Sequence, residues 1–263
     1  MKLISLRAFS LLAGSALFMS SCVKKEDPKP QQPTDIVIYP SVLKMRFIPT
    51  MDGQPLVMNS KTYTNAAGEP FIVTVNKYFV SNFSLIGEDG TSVALSPSYF
   101  LVDADSLRTV SITSVLKGRY TKVSFMIGVD SLKNVSGLQE GDLDPAGRAK
   151  GMYWDWNAGY IQAKMEGKSP ASNLVDSSLL YHIGGFAGQY NPLRMVTLDL
   201  PTVLVMEPNK APLLQIQSEL STWFAGPPAM LFKDKGQVMT PGKESVSIAN
   251  GYAKGYKVVS VTP

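Results

Sequence analysis

The stretch that decides the fold is 120–129, which reads YTKVSFMIGV. Apolar and polar residues alternate partly along it, as in a β-strand with one face in a core. Similar short runs, separated by Gly, Pro, Asn and Asp, recur on both sides of it. These further predicted strands are 35–39, 42–47, 71–80, 99–102, 110–115, 195–200, 203–206, 213–220 and 256–261.

The rest of the chain adds little helix to this pattern. No segment shows three turns of clear helical periodicity, and only 218–224 reads as one short helix. The 263 residues are 44% hydrophobic and 17% charged, which suits one large domain with a real core. We therefore predict an all-β fold, a single β-sandwich or distorted barrel with long loops, over residues 35–263.

Composition excludes several classes of function. The 25 basic residues form no dense run, so nucleic acid is not expected as a partner. A single Cys excludes an internal disulfide and any thiolate-rich zinc or iron–sulfur site. A single His excludes a site that needs two imidazoles from one chain.

The N-terminus reads as an export signal over residues 1–21. Lys2 and Arg7 precede a short apolar run at 8–19, which falls below the ~20 residues of a membrane span. The small residues directly before Cys22 resemble a bacterial lipobox, in which the Cys is lipidated. The alternative is a plain secretory signal in which Cys22 is incidental.

Residues 22–34 read as a flexible tether rich in charge and proline. The Lys/Glu/Asp cluster after Cys22 resembles the surface-export signal of Bacteroidetes lipoproteins, and a generic linker is the alternative. We therefore expect a lipid-anchored protein on the outer membrane, at its periplasmic or cell-surface face.

No catalytic constellation stands out. The chain has no Gly-rich phosphate loop, Rossmann fingerprint or nucleophile elbow, so we predict that it is not an enzyme. One stretch offers hard oxygen ligands of the kind that calcium prefers. The candidate calcium ligands are Asp130, Asn134, Asp142 and Asp144.

The most unusual segment is 151–160, which reads GMYWDWNAGY. Side chains at i and i+2 share a face of a strand, so Trp154 and Trp156 are expected side by side with Met152. From the pattern alone, this is a core ridge or a ligand-stacking ridge of large aromatic residues.

Several motifs together resemble the MbnP-like family of exported proteins, which includes the partner protein of methanobactin systems. The chain is also similar to the copper-repressible surface proteins of methanotrophs. The resemblance spans about 42–261, and the tryptophan and His-Ile-Gly blocks are its specific parts. The matching motifs are NAAG at 65–68, YFVSN at 78–82, GVD…N at 128–134, LDP at 143–145, the block 151–160, EG at 166–167 and YHIGG at 181–185.

The resemblance implies copper. In the family, a diheme enzyme of the peroxidase type oxidises a tryptophan to kynurenine, which then helps histidine to bind the metal. Carried onto this chain, Trp154 or Trp156 is the modified residue and His182 is the ligand. Met152 adds a thioether that favours Cu(I).

The chain departs from the family pattern at two places. Val135 stands where copper-binding relatives tend to have a His, and 185–188 lacks the Cys residues that some relatives carry. A site built on His182 therefore needs kynurenine, the mature N-terminus or a second subunit, unless copper binding has been lost. His182 as a purely structural, hydrogen-bonded residue is the alternative.

Two functions follow from these observations. The first is a lipid-anchored, extracytoplasmic copper-binding or copper-trafficking protein, the substrate of a partner diheme enzyme. The second is a surface lipoprotein that binds glycan or a partner protein on an aromatic platform of Trp154, Trp156 and Tyr160.

Overall fold

Strands dominate the computed structural model, which describes residues 41–137, 139–156 and 159–263. The strands are β1 (Val42–Met51), β2 (Gln54–Pro55), β3 (Tyr63–Thr64), β4 (Pro70–Gly87), β5 (Ser92–Ala94), β6 (Tyr99–Asp103), β7 (Thr109–Thr113), β8 (Gly118–Ile127), β9 (Tyr153–Trp154), β10 (Gly159–Lys168), β11 (Ser178–Gly184), β12 (Arg194–Met206), β13 (Leu213–Glu219), β14 (Gln237–Val238) and β15 (Tyr256–Thr262). The helices are α1 (Ser131–Asn134) and α2 (Lys243–Tyr252), with 3-10 turns at Gly141–Leu143, Val175–Ser177 and Leu220–Phe224.

The smaller sheet has the strand order β15–β13–β1–β2, with β7 also paired to β1. Burial alternates along 43–47 of β1, so Leu43, Met45 and Phe47 are buried while Lys44 and Arg46 are exposed. Because successive side chains point to opposite faces, one face of this sheet lies in the core and the other faces solvent.

The larger sheet has the order β12–β8–β4–β10–β11–β14, and further short strands pair with β4 and β10. Its long central strand β4 pairs with β10 through residues 72–78 and with β8 through residues 80–87. Within the pairing with β8 the register shifts between Ser81 and Ser84, and Asn82 there has a positive φ of 51°. Such an irregularity bends a strand, which lets one strand serve two partners.

The core has two parts on opposite faces of the larger sheet. The main cluster lies between the sheets and contains Tyr78 and Val80, whereas Phe79 between them belongs to a second cluster. The second cluster therefore covers the outer face. Its members are Phe79, Leu101, Val129, Leu143, Ala149, Met152, Trp154, Tyr160 and Ile161. The loops of 129–160 thus form a cover over one end of the larger sheet.

The all-β prediction is confirmed, and because neither sheet closes on itself the architecture is a sandwich. The predicted short helix at 218–224 corresponds to the 3-10 turn Leu220–Phe224. The two strands expected at 195–200 and 203–206 are one continuous strand, β12, with an irregularity between them. The export signal, Cys22, the tether and the strand predicted at 35–39 lie outside the described residues.

Among the elements of seven or more residues, three were not predicted: β10, β11 and the ten-residue helix α2. The helix buries residues with helical spacing, but the first of them is a serine, which weakens the apolar periodicity. The buried set is Ser245, Ile248, Ala249 and Tyr252. Within the described part of the chain, no helix has both the length and the apolarity needed to cross a membrane.

Gly167 tests how tightly β4 and β10 are packed. A Cβ at this position would lie 2.2 Å from the backbone oxygen of Ile72, which has no room to move inside the sheet. We expect Gly167→Ala to lower the free energy of unfolding by about 1–3 kcal/mol, as overpacked sites do. The control is Gly226→Ala, where the nearest atom lies at 3.7 Å. Equal urea midpoints for the two variants would contradict this packing.

Candidate functional site

The indole of Trp154 lies directly on the backbone of β11. A Cβ placed on Gly184 would come within 2.2 Å of Trp154 Cζ3, so only glycine leaves room for the ring. The hairpin between β9 and β10 sets this position, because Trp154 pairs with Gly159. The ring is 4% exposed, and its Nε1 is buried with no hydrogen-bond partner in the described part of the chain.

His182 is the neighbour of this contact on the same strand face. Along β11, Tyr181 and Ile183 point into the main core, so His182 and Gly184 point to the outer face. Residues two apart in a strand lie about 7 Å from one another. The only imidazole of the chain and the buried indole therefore occupy adjacent places on one sheet face.

Glu166 orients the ring of His182. Its Oε1 lies 2.8 Å from His182 Nε2, and the hydrogen bond from His182 is the main cause that lowers the pKa of Glu166 to about 2. Burial works in the opposite direction, and Lys164 adds a second lowering. An ionised carboxylate only accepts, so Nε2 donates and the lone pair of a neutral imidazole is on Nδ1. No hydrogen bond to Nδ1 is found among the described residues.

Lys164 completes the polar part of the site. It pairs in register with His182 across β10 and β11. Its Nζ lies 2.9 Å from the same Oε1 of Glu166 and donates to the carbonyl oxygen of Gly151 at 3.2 Å. One carboxylate oxygen thus accepts from both an imidazole and an ammonium. We call Lys164, Glu166 and His182 the outer-face cluster.

Trp156 extends the site toward solvent. Its ring stacks on Trp154 with centroids 5.0 Å apart and planes 38° apart, and it is 63% exposed. The side-by-side placement of the two rings agrees with the prediction, but the reason given for it was wrong. The strand β9 ends at Trp154, and Trp156 lies in the turn that follows.

The predicted ligands differ in burial. Trp154 and Met152 are both buried in the second core cluster on the outer face. His182 is half-buried on the same face, and Trp156 is exposed. Glu166 and Lys164 were not predicted as site residues. The alternation along 162–168 offered a clue to their shared face, but the register with β11, which pairs Lys164 with His182, cannot be read from one sequence.

The four candidate calcium ligands already have protein partners. Asp130 caps α1 through Lys133 N and accepts from Tyr99 Oη at 2.5 Å. The amide of Asn134 donates to the carbonyl oxygens of Val129 and Asp130.

The other two candidates are engaged as well. Asp142 is ion-paired to Arg108 and Arg148 in a buried position, and Asp144 accepts from Ala146 N. Over 41–137, 139–156 and 159–263, no three His, Cys, Asp or Glu side chains form a group suited to a metal. The calcium site stays a prediction that this geometry does not support.

Comparisons with known proteins agree with the motifs. The family model described as MbnP matches residues 40–240, which include the whole outer-face cluster and both stacked tryptophans. A solved structure, MbnP from Methylosinus trichosporium, is 13% identical in sequence to this chain, with a TM-score of 0.49. The alignment covers 71% of this chain and 78% of the Methylosinus trichosporium chain. The comparison with curated proteins found no match.

The Glu166 carboxylate should make stability depend on pH. Its pKa falls from 4.5 to about 2 on folding, so its contribution is present above pH 4.5 and is lost as pH falls toward 2. We expect Glu166→Gln to lower the free energy of unfolding by about 1–2 kcal/mol at pH 7, after allowance for partial exposure. The difference in this free energy between wild type and variant should shrink as the pH falls from 4.5 to about 2.

The measurement is urea unfolding of both proteins between pH 7 and pH 2. The exposed Glu207 provides the control, because Glu207→Gln removes one charge without breaking an ion pair found in the described residues. A constant gap between wild type and Glu166→Gln across the whole range would show that the carboxylate is not held by its neighbours.

Proposed function

This chain belongs to the MbnP family, and from that premise we propose that it is a lipid-anchored, extracytoplasmic protein that binds or carries copper. A partner diheme enzyme of the peroxidase type oxidises Trp154 to kynurenine, and the product together with His182 holds the metal. The protein itself performs no turnover. Copper is its cargo, and the lipid on Cys22 keeps it at the outer membrane.

One observation carries the proposal: the ring of Trp154 lies on Gly184, beside His182 on the same sheet face. Two residues that are far apart in sequence and have complementary metal chemistry are thereby adjacent. The buried Nε1 of Trp154, which becomes the aryl amine of kynurenine, has no hydrogen-bond partner among the residues that the structure describes.

The donor set suits Cu(II). Imidazole Nδ1 and an aryl amine are nitrogen ligands, and nitrogen and oxygen donors favour Cu(II) over Cu(I). Glu166 on the opposite ring nitrogen orients the imidazole, as carboxylates do behind metal-bound histidines. Met152, whose thioether was expected to favour Cu(I), is buried in the second cluster together with Trp154. The proposal uses the two nitrogen ligands only.

The oxidation balances with peroxide as the oxidant. Two molecules of hydrogen peroxide cleave the indole C2–C3 bond, which adds two oxygen atoms and releases two molecules of water. Hydrolysis of the resulting N-formylkynurenine consumes one water and releases formic acid. The mass gain is about 32 Da for the first product and about 4 Da for kynurenine.

The direct test is a mass map of the tryptic peptide 151–164 after co-expression with a diheme peroxidase-like partner. We expect a gain of about 4 or 32 Da that fragmentation assigns to Trp154. The wild-type chain should then take up one equivalent of copper in calorimetry, and His182→Asn should abolish this uptake.

The variants Trp154→Phe and Trp156→Phe separate the two indoles. Only Trp154→Phe should remove both the mass gain and the copper uptake. An encoded mass for the peptide in the presence of the partner enzyme, together with no copper uptake, would eliminate the proposal.

Exposure of Trp156 favours a second candidate, an aromatic surface that binds glycan or a partner protein. Two of the three residues predicted for the aromatic platform are not at the surface. Trp154 is buried, and Tyr160 is fully buried with its hydroxyl bonded to the carbonyl of Leu143. Any stacking surface would thus consist of Trp156 alone, which supports a weak contact with a single ring.

Iodide quenching measures this exposure. Of the three tryptophans, Trp154 and Trp223 are buried and Trp156 is exposed, so we expect only a fraction of the fluorescence to be quenched. Trp156→Phe should remove nearly all of that fraction. If glycans protected the wild type from iodide, the platform would be favoured. Unchanged quenching in Trp156→Phe would contradict the exposure on which that candidate depends.

A further inference from the structure

The ammonium of Lys164 is held inside the outer-face cluster instead of in solvent. Its side chain is only 15% exposed, whereas Lys168, four residues further along the same strand, is exposed. A lysine side chain that is fixed in a partly buried position loses conformational entropy and the hydration of its ammonium. Such a position is therefore stable only where new contacts of the ammonium compensate for both losses. Here the contacts are Glu166 Oε1 at 2.9 Å and the carbonyl of Gly151 at 3.2 Å.

These two contacts are the ligand types of a bound cation. A carboxylate oxygen and a backbone carbonyl are oxygen ligands that metal cations take from proteins. The imidazole of His182 lies at the same carboxylate oxygen. We propose that Lys164 is a resident cation, which fills the cation position between Glu166 and Gly151 and must leave before a metal can occupy it.

The proposal rests on the function above only for the identity of the metal as copper. Physically it is a competition between two cations for one carboxylate. An ammonium a few ångströms from a divalent ion repels it by far more than the free energy of a tenfold change in affinity, even at a high effective dielectric constant. Wild type should therefore bind a metal weakly at this position, and loss of the ammonium should strengthen binding.

Lys164 also couples the cluster to the tryptophan segment. Gly151 has a positive φ of 74° and ends the turn that precedes β9, the strand of Trp154. The bond from Lys164 to its carbonyl ties this turn to β10. Departure of the ammonium would therefore loosen 151–156 while it opens the cation position.

The test compares Lys164→Met and Lys164→Gln with wild type in calorimetric titrations with Cu(II). All chains are made without any oxidising partner, so kynurenine plays no part. We expect both variants to bind Cu(II) at least about tenfold more tightly than wild type. Lys164→Arg keeps the charge and should bind as weakly as wild type, and Lys168→Met should change the affinity less than twofold.

Amide hydrogen exchange supplies a readout that needs no metal. Exchange in 151–156 should be faster in Lys164→Met than in wild type, with β11 unchanged. The proposal is overturned if neither neutral variant binds Cu(II) more tightly than wild type, including the case in which no chain binds it. If the two neutral variants bind Cu(II) more tightly than wild type but the oxidised wild type takes up no copper, the proposed function is wrong. The role of Lys164 as a resident cation is then still supported.

Discussion

The contact between the Trp154 ring and the backbone of Gly184 is the constraint on which the outer face of the larger sheet depends. Because residue 184 has no side chain, the indole reaches the strand that carries His182. The cover formed by 129–160 holds the ring there through the second core cluster. A side chain at this position would push the ring away from the only imidazole, and the two residues would no longer share a site.

The charge balance at this place is equally specific. One oxygen of Glu166 accepts from both His182 and Lys164, and these bonds keep the carboxyl ionised with its pKa near 2. The imidazole is thereby oriented, and within 41–137, 139–156 and 159–263 no hydrogen bond to its Nδ1 is found. The same carboxylate holds an internal cation, so the outer-face cluster combines an oriented donor with a competitor for any incoming metal. In the proposed function, this competition limits the access of copper to the cluster, in addition to the requirement for an oxidised tryptophan.

The sequence predicted most of the fold because alternation within single strands is a local property. The runs at 42–47 and 71–80 fall within strands of the structure, and the run at 120–129 lies in β8 up to Ile127. The sequence did not predict β10 and β11, because their residues were assigned to the unusual tryptophan segment and to loops. Helix α2 was missed because a buried serine interrupts its apolar face.

Only those site residues whose type is rare in the chain could be predicted from the sequence. A single His and two tryptophans only two residues apart are unusual in a sequence and can be recognised there. Glu166 and Lys164, in contrast, are ordinary charged residues on an alternating strand. Their role depends on the register between β10 and β11, which pairs Lys164 with His182. The acidic residues expected to bind calcium had the right ligand chemistry, but the structure uses Asp130 as a helix cap and Asp142 as an ion-pair partner.

The most direct test of the central claim is pulsed electron paramagnetic resonance of the Cu(II)-loaded, oxidised chain labelled with 15N-histidine and carrying no added histidine tag. Because the chain has one histidine, any imidazole modulation reports on His182 alone. The account predicts the modulation of a single imidazole, which changes when 15N replaces 14N. A copper spectrum that is identical with and without the label would show that His182 does not bind the metal.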